Sequence, residues 1–302
     1  MQAPAKTEGI LLPKWKVAFE SSLVRKTVSG KPILVDNPDT VIDLDRAQVE
    51  QLDASGIRMT GPRETVRQFL SRARSLSSAL SMAHAKEILA VFPSDRQLNV
   101  LIVGGGTIGP GIDELAADSR VNMLAFDIYD GPNIDFIADG HDIPLVEGSI
   151  DIVWIQAVLE HVADPVKVAA ECERTLREGG IVYAETPFMQ QVHAERYDFM
   201  RFTALGHRIL FSDCDTIRSG VVDGPAVALI WSLRFFFAGL FRSKSVGRLV
   251  GVLFNWLKLF DYIIPENHKQ MGACSFYFMG RRRSRSQSRV TPKEVIAEYA
   301  GI

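Results

Sequence analysis

Val100-Leu-Ile-Val-Gly-Gly-Gly-Thr-Ile-Gly-Pro-Gly111 is an apolar run that collapses into glycines, and the next apolar run, Val121 to Phe126, closes on Asp127. A Val/Leu/Ile stretch that feeds Gly104-x-Gly106-x-x-Gly109 reads as a buried parallel strand turning into a helix. Its backbone stays bare enough at the turn to touch a nucleotide. The stretch predicts a nucleoside-binding α/β fold. A tight strand-to-loop turn with no ligand is the plain alternative, because a glycine fingerprint alone is a weak signal.

Charge narrows the nucleoside. Between Gln97 and Val166 stand twelve acids (Asp113, Glu114, Asp118, Asp127, Asp130, Asp135, Asp139, Asp142, Glu147, Asp151, Glu160 and Asp164) and one base, Arg120. A dinucleotide lays its pyrophosphate on the helix N-terminus that follows the glycines, where N–H groups and the helix dipole favour an anion. Asp113 and Glu114 fall in that first turn and repel a phosphate, whereas a phosphate-free ligand carrying a sulfonium and an ammonium is welcome there. S-adenosylmethionine is such a ligand. Acids in a first turn also stabilise a helix dipole with no ligand present, so charge alone does not settle the matter.

Further on come D-G-H-D-I-P-L-V-E-G-S-I-D from Asp139 to Asp151, then I-V-W-I-Q-A-V-L-E-H-V-A-D-P, then E-C-E-R-T-L-R-E-G-G-I-V-Y-A-E-T-P-F. In order and spacing these blocks resemble the class I S-adenosylmethionine-dependent methyltransferases, in the branch with the type 11 methyltransferase domain. The resemblance covers residues 99–203. It implies a Rossmann-like, doubly wound sheet, mostly parallel with an antiparallel last strand and helices on both faces. It also implies S-adenosyl-L-methionine as cofactor.

Asp127, ending its strand, can accept hydrogen bonds from a ribose diol. By resemblance, Ile128 packs on the adenine, Asp139 accepts from the adenine amino group, and Gly140 and His141 pass close to the ring. Gln156 and Ala157 lie under the methionine part. Gly104, Gly106 and Gly109 form the turn. Pro110 departs from the usual pattern, and is tolerated at a first helical position. Leu145 stands where the family more often has an aromatic.

The loop after the fifth strand, Pro187 to Thr203, gathers a His, a Tyr, Args and Phes where an acceptor would sit. His193 is the candidate general base, since imidazole titrates near neutrality. His161 of V-L-E-H-V is the second candidate, with a structural role as its alternative. Tyr197, Asp198 and Arg201 shape the pocket in this reading, and Phe199 and Phe202 wall it; the alternative is a hydrogen-bonded loop over core aromatics.

A chain of 302 residues with 47% hydrophobic content can build a large core, and a net charge of −2 argues against general nucleic-acid binding. Cys172, Cys214 and Cys274 are scattered without metal-ligand spacing, so no metal is expected. They suit a reduced intracellular protein, and the first residues lack the apolar core of a secretion signal, so a cytoplasmic location is expected.

The expected organisation is an N-terminal appendage (1–62), a helical lead-in (63–98) and a methyltransferase domain (99–280) with an apolar helical insertion at about 225–268. A basic linker and short C-terminal helix follow (281–302). Strands are expected at 99–103, 121–127, 134–138, 150–155 and 180–185, then near 215–225 and 274–281.

Two apolar stretches, 226–241 and 246–260, are too short and too interrupted, by Arg234 in the first, for a span of about 20 residues. Arg248, Gly251, Asn255 and Lys258 draw a narrow polar stripe on the second, which predicts a mostly buried helix. A substrate roof, a homodimer surface, a pair of helices on a membrane and an ordinary core all fit. Arg281 to Arg289 reads as a solvated basic run, with lipid or RNA contact as the alternative. Thr291-Pro-Lys-Glu294 reads as a helix start with a capping box, ended by Gly301.

The residues therefore predict transfer of a methyl group to a small-molecule, glycan or lipid-like acceptor, with nucleic acid disfavoured. The alternatives are an NAD(P)-dependent oxidoreductase and a non-catalytic S-adenosylmethionine-binding protein.

Overall fold

A computed structural model describes residues 24–26, 30–35, 40–42, 76–193 and 197–299. The expectations for 1–23, 43–75 and Gly301 lie outside the described residues.

The strands are β1 (Val24–Lys26), β2 (Pro32–Leu34), β3 (Leu98–Val103), β4 (Val121–Asp127), β5 (Phe136–Ile137), β6 (Ile150–Gln156), β7 (Leu176–Pro187), β8 (Cys214–Asp223) and β9 (Ser275–Arg282). They form one sheet in the order β1-β2-β5-β4-β3-β6-β7-β9-β8. From β2 to β7 every pairing is parallel, whereas β9 runs antiparallel between β7 and β8. This is the mostly parallel, doubly wound sheet with an antiparallel last strand. The described N-terminal residues add two strands to its edge, with Ile33 opposite Ile137.

Alternation along each strand divides the core. Leu101, Val103, Leu124, Phe126, Val153 and Ile155 face one side; Leu98, Val100, Ile102, Ile152 and Trp154 face the other. Both sets are buried because helices cover both faces, which is why these strands read as continuous apolar runs rather than alternating ones. Helices α1 (Leu76–Val91) and α2 (Ile112–Ala117) cover the Trp154 side with Ala85, Ile88 and Leu115. Helices α3 (Pro165–Thr175) and α4 (Ala204–Leu210) cover the other with Val168, Cys172 and Leu210. Asp164 caps α3 by accepting from Lys167 N–H, with Pro165 in the first turn.

Pro110 does not open the helix after the glycines. Gly111 caps it in a left-handed conformation, φ 89°, that glycine adopts without strain, and a Cβ there would also meet Trp154 and the Ser81 carbonyl.

Helices α5 (Pro225–Leu240) and α6 (Lys244–Leu253) form a hairpin, continued by a 3-10 segment, Asn255–Tyr262, and α7 (Glu266–Gly272). A Cβ on Gly247 would come within 2.7 Å of Ala238 Cβ, so glycine lets the two helices touch. Asp261 accepts from Ala226 N–H at 3.0 Å and ties the segment back to the start of α5. The expected burial of the second helix is overturned: Leu249 is 68%, Val252 74%, Leu253 64% and Trp256 55% exposed. Its apolar side faces outward because the core contacts of the insertion are made by the first turns of α5, through Val227, Ala228 and Trp231.

The basic run from Arg281 to Arg289 is mostly exposed and carries ion pairs at the surface. Arg282 and Arg289 pair with Asp213, Arg283 with Asp215 and Arg285 with Glu147, acids remote in sequence. Helix α8 (Pro292–Ala297) starts on Thr291 with both halves of its capping box formed.

Candidate active site

The C-terminal ends of β3, β4, β6 and β7 gather the residues expected to bind cofactor. Gly104 is left-handed at φ 75°, and a Cβ there would strike Val158. Gly106 donates its N–H to Asp127 Oδ2 at 2.9 Å, and Ile128 N–H donates to Oδ1 at 2.7 Å. A Cβ on Gly106 would lie 2.7 Å from that carboxylate, and one on Gly109 would lie 2.3 Å from Gln156 Oε1. The glycine spacing is thus a requirement of side chains from β4 and β6 packing onto the turn. Burial raises the Asp127 carboxyl above its ordinary value, opposed by the amides that point at it. Each of its oxygens accepts one of these bonds and keeps acceptor capacity.

Gln156 accepts from Trp154 Nε1 at 2.7 Å, which fixes its side chain at the tip of β6. Ala157 is held at φ 51°, an unusual conformation for a residue with a Cβ, and its N–H donates to the Glu185 carbonyl. Arg120, the single base of residues 97–166, is held by Asp118 and the carbonyls of Leu89, Phe92 and Pro93, before β4 begins. It does not reach the strand tips.

Asp139 differs from expectation. Oδ2 accepts from Thr40 Oγ1 at 2.7 Å and Val41 N–H at 3.3 Å, while Oδ1 accepts from His141 N–H and Nδ1. All its acceptor sites are occupied within the chain. Burial pushes its carboxyl upward, but the bonds from His141 and Thr40 outweigh this and hold it far below the ordinary range. The His141 ring, flanked by Gly140, is fixed on its other side, where Nε2 accepts from Asp164 N–H.

The loop after β7 meets the V-L-E-H-V segment. His161 Nδ1 lies 3.0 Å from the Tyr197 carbonyl, and its Nε2 lies 3.6 Å from Glu160 Oε1. His193 Nε2 lies 4.0 Å from the same oxygen, and its Nδ1 lies 3.1 Å from the Gln191 carbonyl and 3.3 Å from Arg201 Nη2. Asp198 accepts from His193 N–H and pairs with Arg201. Glu160 is fully buried, and among the described residues neither of its carboxylate oxygens has a hydrogen-bond partner. Burial pushes its carboxyl up to about 8, and burial lowers His161. The Tyr197 ring meets Tyr129 edge-on at 6.2 Å, joining this loop to the end of β4.

Phe199 is exposed at this loop, whereas Phe202 is buried in the main core and walls nothing. Sequence reading gave no role to Glu160, although it stands beside His161. It also passed over Glu185, a half-buried acid on β7 that accepts from Ser81 Oγ at 2.6 Å and Tyr183 OH at 2.5 Å. Only an acid inside an apolar strand hinted at the latter.

Fold and strand tips together define an α/β protein of the doubly wound class. Residues 111–184 match the family model described as a methyltransferase domain. It is 34% identical over 105 residues to demethylmenaquinone methyltransferase of Renibacterium salmoninarum, covering 33% of this chain and 44% of that protein. An uncharacterised 37.1 kDa protein in transposon TN4556 of Streptomyces fradiae is 50% identical over 44 residues, covering 15% and 13%. The matched stretches thus span less than half of either relative.

Among solved structures, Haemonchus contortus phosphoethanolamine N-methyltransferase 2 in complex with S-adenosyl-L-methionine aligns at TM-score 0.43 and 14% identity, covering 67% of this chain and 53% of that one. Burkholderia thailandensis 1,6-didemethyltoxoflavin-N1-methyltransferase aligns at TM-score 0.42 and 13%, covering 76% and 93%.

Proposed function

We propose that the protein is an S-adenosyl-L-methionine-dependent methyltransferase whose working unit is residues 99–280. The observation that carries this reading is the Asp127 carboxylate, half-buried at the tip of β4 between the amides of Gly106 and Ile128, in a stretch whose single base is spent elsewhere. Its remaining acceptor capacity suits a ribose diol, and the acid-rich crevice suits a sulfonium and an ammonium better than a diphosphate. Gly104, Gly106, Gly109, Ile128, Gly140, His141, Gln156 and Ala157 line the cofactor in this reading. Asp139 holds His141 and the segment around Thr40.

In the reaction the methyl carbon passes from the sulfonium to an acceptor oxygen or nitrogen. The S–CH3 bond breaks with its electron pair left on sulfur, and S-adenosylhomocysteine departs. The acceptor's proton goes to Nε2 of His193, whose half-buried ring is held by Nδ1 facing the Gln191 carbonyl. His161 and Tyr197 anchor the loop that presents it. Positioning and exclusion of water supply the rest of the rate.

The acceptor is lipid-like, met at an anionic bilayer surface on the cytoplasmic side. The apolar hairpin is exposed, and residues 225–263 carry five bases, Arg234, Arg242, Lys244, Arg248 and Lys258, against one acid, the buried Asp261. Exposed apolar side chains with cationic neighbours are the makings of an interfacial helix. The hairpin also reaches the acceptor loop: Gln191 Nε2 donates to Ser232 Oγ at 3.0 Å, and His193 lies 6.2 Å from Trp231. No helix among the described residues is long and apolar enough to cross a membrane.

Formation of S-adenosylhomocysteine with a panel of isoprenoid, phenolic and phospholipid acceptors tests the reading. The His193→Ala variant is expected to keep cofactor affinity and lose about 100-fold or more in kcat. Cofactor binding with no turnover on any acceptor supports a non-catalytic binding protein instead.

A further inference from the structure

Glu160, His161 and His193 offer one ligand atom each, all within 4.8 Å of one another, from two chain segments that the fold brings together. We propose that this cluster is a binding site for a divalent transition-metal cation such as zinc.

Distances, tautomers and burial agree on it. Ligand atoms around a tetrahedral zinc stand about 3.3 Å apart, so the 3.6 Å and 4.0 Å separations from Glu160 Oε1 need only a small contraction, and the two imidazole nitrogens, within 4.8 Å, close by rotation of the half-buried His193. His161 Nδ1 faces the Tyr197 carbonyl, which makes it the protonated nitrogen and leaves the Nε2 lone pair toward Glu160. His193 Nδ1 faces the Gln191 carbonyl at 3.1 Å, and Arg201 Nη2, 3.3 Å from the same nitrogen, has both its hydrogens directed to Gln191 O and Asp198 Oδ2, which leaves Nδ1 to carry a proton. Carbonyl-oriented imidazoles of this kind are how metal-ligating histidines are aimed.

Independently, Glu160 is a fully buried carboxyl whose two oxygens lack any donor among the described residues. A buried polar group without a partner costs free energy, and a cation between the two imidazoles supplies the missing partner. Two imidazoles and one carboxylate suit zinc, cobalt, iron or nickel rather than magnesium or calcium. Three protein ligands leave a coordination position open, the arrangement of reactive rather than structural zinc sites. The half-exposed edges of His161 and His193 put that position at the acceptor loop, where a cation would hold an acceptor oxygen. With the ion bound, His193 is a ligand rather than a free base. The use of the cation in methyl transfer rests on the function proposed above; cation binding does not.

The test is titration of the full-length, chelator-treated protein with Zn2+ by calorimetry and with Co2+ by visible absorption. One ion per chain is expected, with the d–d bands of a nitrogen- and oxygen-ligated cobalt. His193→Ala, on a half-exposed loop, is expected to weaken binding by about 100-fold, and Glu160→Gln by at least about tenfold. His268→Ala, an exposed histidine on α7, serves as control and leaves binding unchanged. No binding above that of the His193→Ala variant overturns the proposal. S-adenosylmethionine binding is measured on the same samples: cofactor bound without metal sinks the metal site alone, and metal bound without cofactor sinks the methyltransferase reading alone.

Discussion

Gly106 shows how one missing side chain ties the turn to the ligand. Its N–H and the Asp127 carboxylate stand so close that a Cβ would sit 2.7 Å from Oδ2. Gly106→Ala therefore displaces the carboxylate, and Asp127→Ala removes it. Each is expected to cost about 1.5–3 kcal/mol of S-adenosylmethionine binding, about 10- to 100-fold in Kd by calorimetry, with the melting temperature little changed for Asp127→Ala. A second residue sets an acid limit on the fold. His207 is buried among Phe202, Phe211 and Phe278, neither ring nitrogen has a partner among the described residues, and burial lowers its pKa to about 3. Below the ordinary value of 6.5 the unfolded chain takes up a proton that the folded chain refuses. Stability therefore falls as pH drops from 6.5 toward 3, by up to about 1.4 kcal/mol per pH unit from this group. Urea unfolding of the wild type and His207→Leu at pH 7.5 and 5.5 checks this: the leucine variant should gain relative stability at the lower pH.

At the scale of elements, the hairpin decides where the protein works. Its outward side chains make no contribution to the core, so replacing Leu249, Val252 and Leu253 together by Ser is expected to shift stability little, because surface substitutions lie within about 0.5 kcal/mol each. The same variant should lose flotation with vesicles rich in anionic phosphatidylglycerol, while the wild type floats and is released by high salt. A wild type that stays with the soluble fraction and sediments as a dimer contradicts the bilayer assignment and makes the face a contact between copies. The helices themselves were legible in the sequence, since Pro225 and Ser243 mark their starts and apolar runs fill them. Their burial was not. An apolar helix face states that something covers it, without stating whether that is core, copy or lipid.

Across the whole molecule, legibility followed distance along the chain. Strands β3, β4 and β6 could be placed almost to the residue because each is a local apolar run ending in turn chemistry, and the doubly wound class came with the resemblance carried by the blocks from Asp139 onward. What escaped depends on remote partners. Thr40 and Asp139 are joined across 99 residues, so a saturated carboxylate read as an open contact, and the surface pair of Arg285 with Glu147 was equally out of reach of a local reading. Glu160 sat in plain view beside His161, but its role needs His193, delivered by the loop after β7. Local patterns write the frame, and the site is completed by contacts that no local pattern encodes.

The central claim is that the strand tips accept an adenosyl sulfonium and have no seat for a diphosphate. Calorimetric titration of the full-length protein with S-adenosylmethionine, S-adenosylhomocysteine and NAD+ tests it most directly. The account predicts one S-adenosylmethionine per chain with a Kd in the micromolar range, about −8 kcal/mol, and no measurable heat with NAD+. Saturable NAD+ binding with none for S-adenosylmethionine contradicts it.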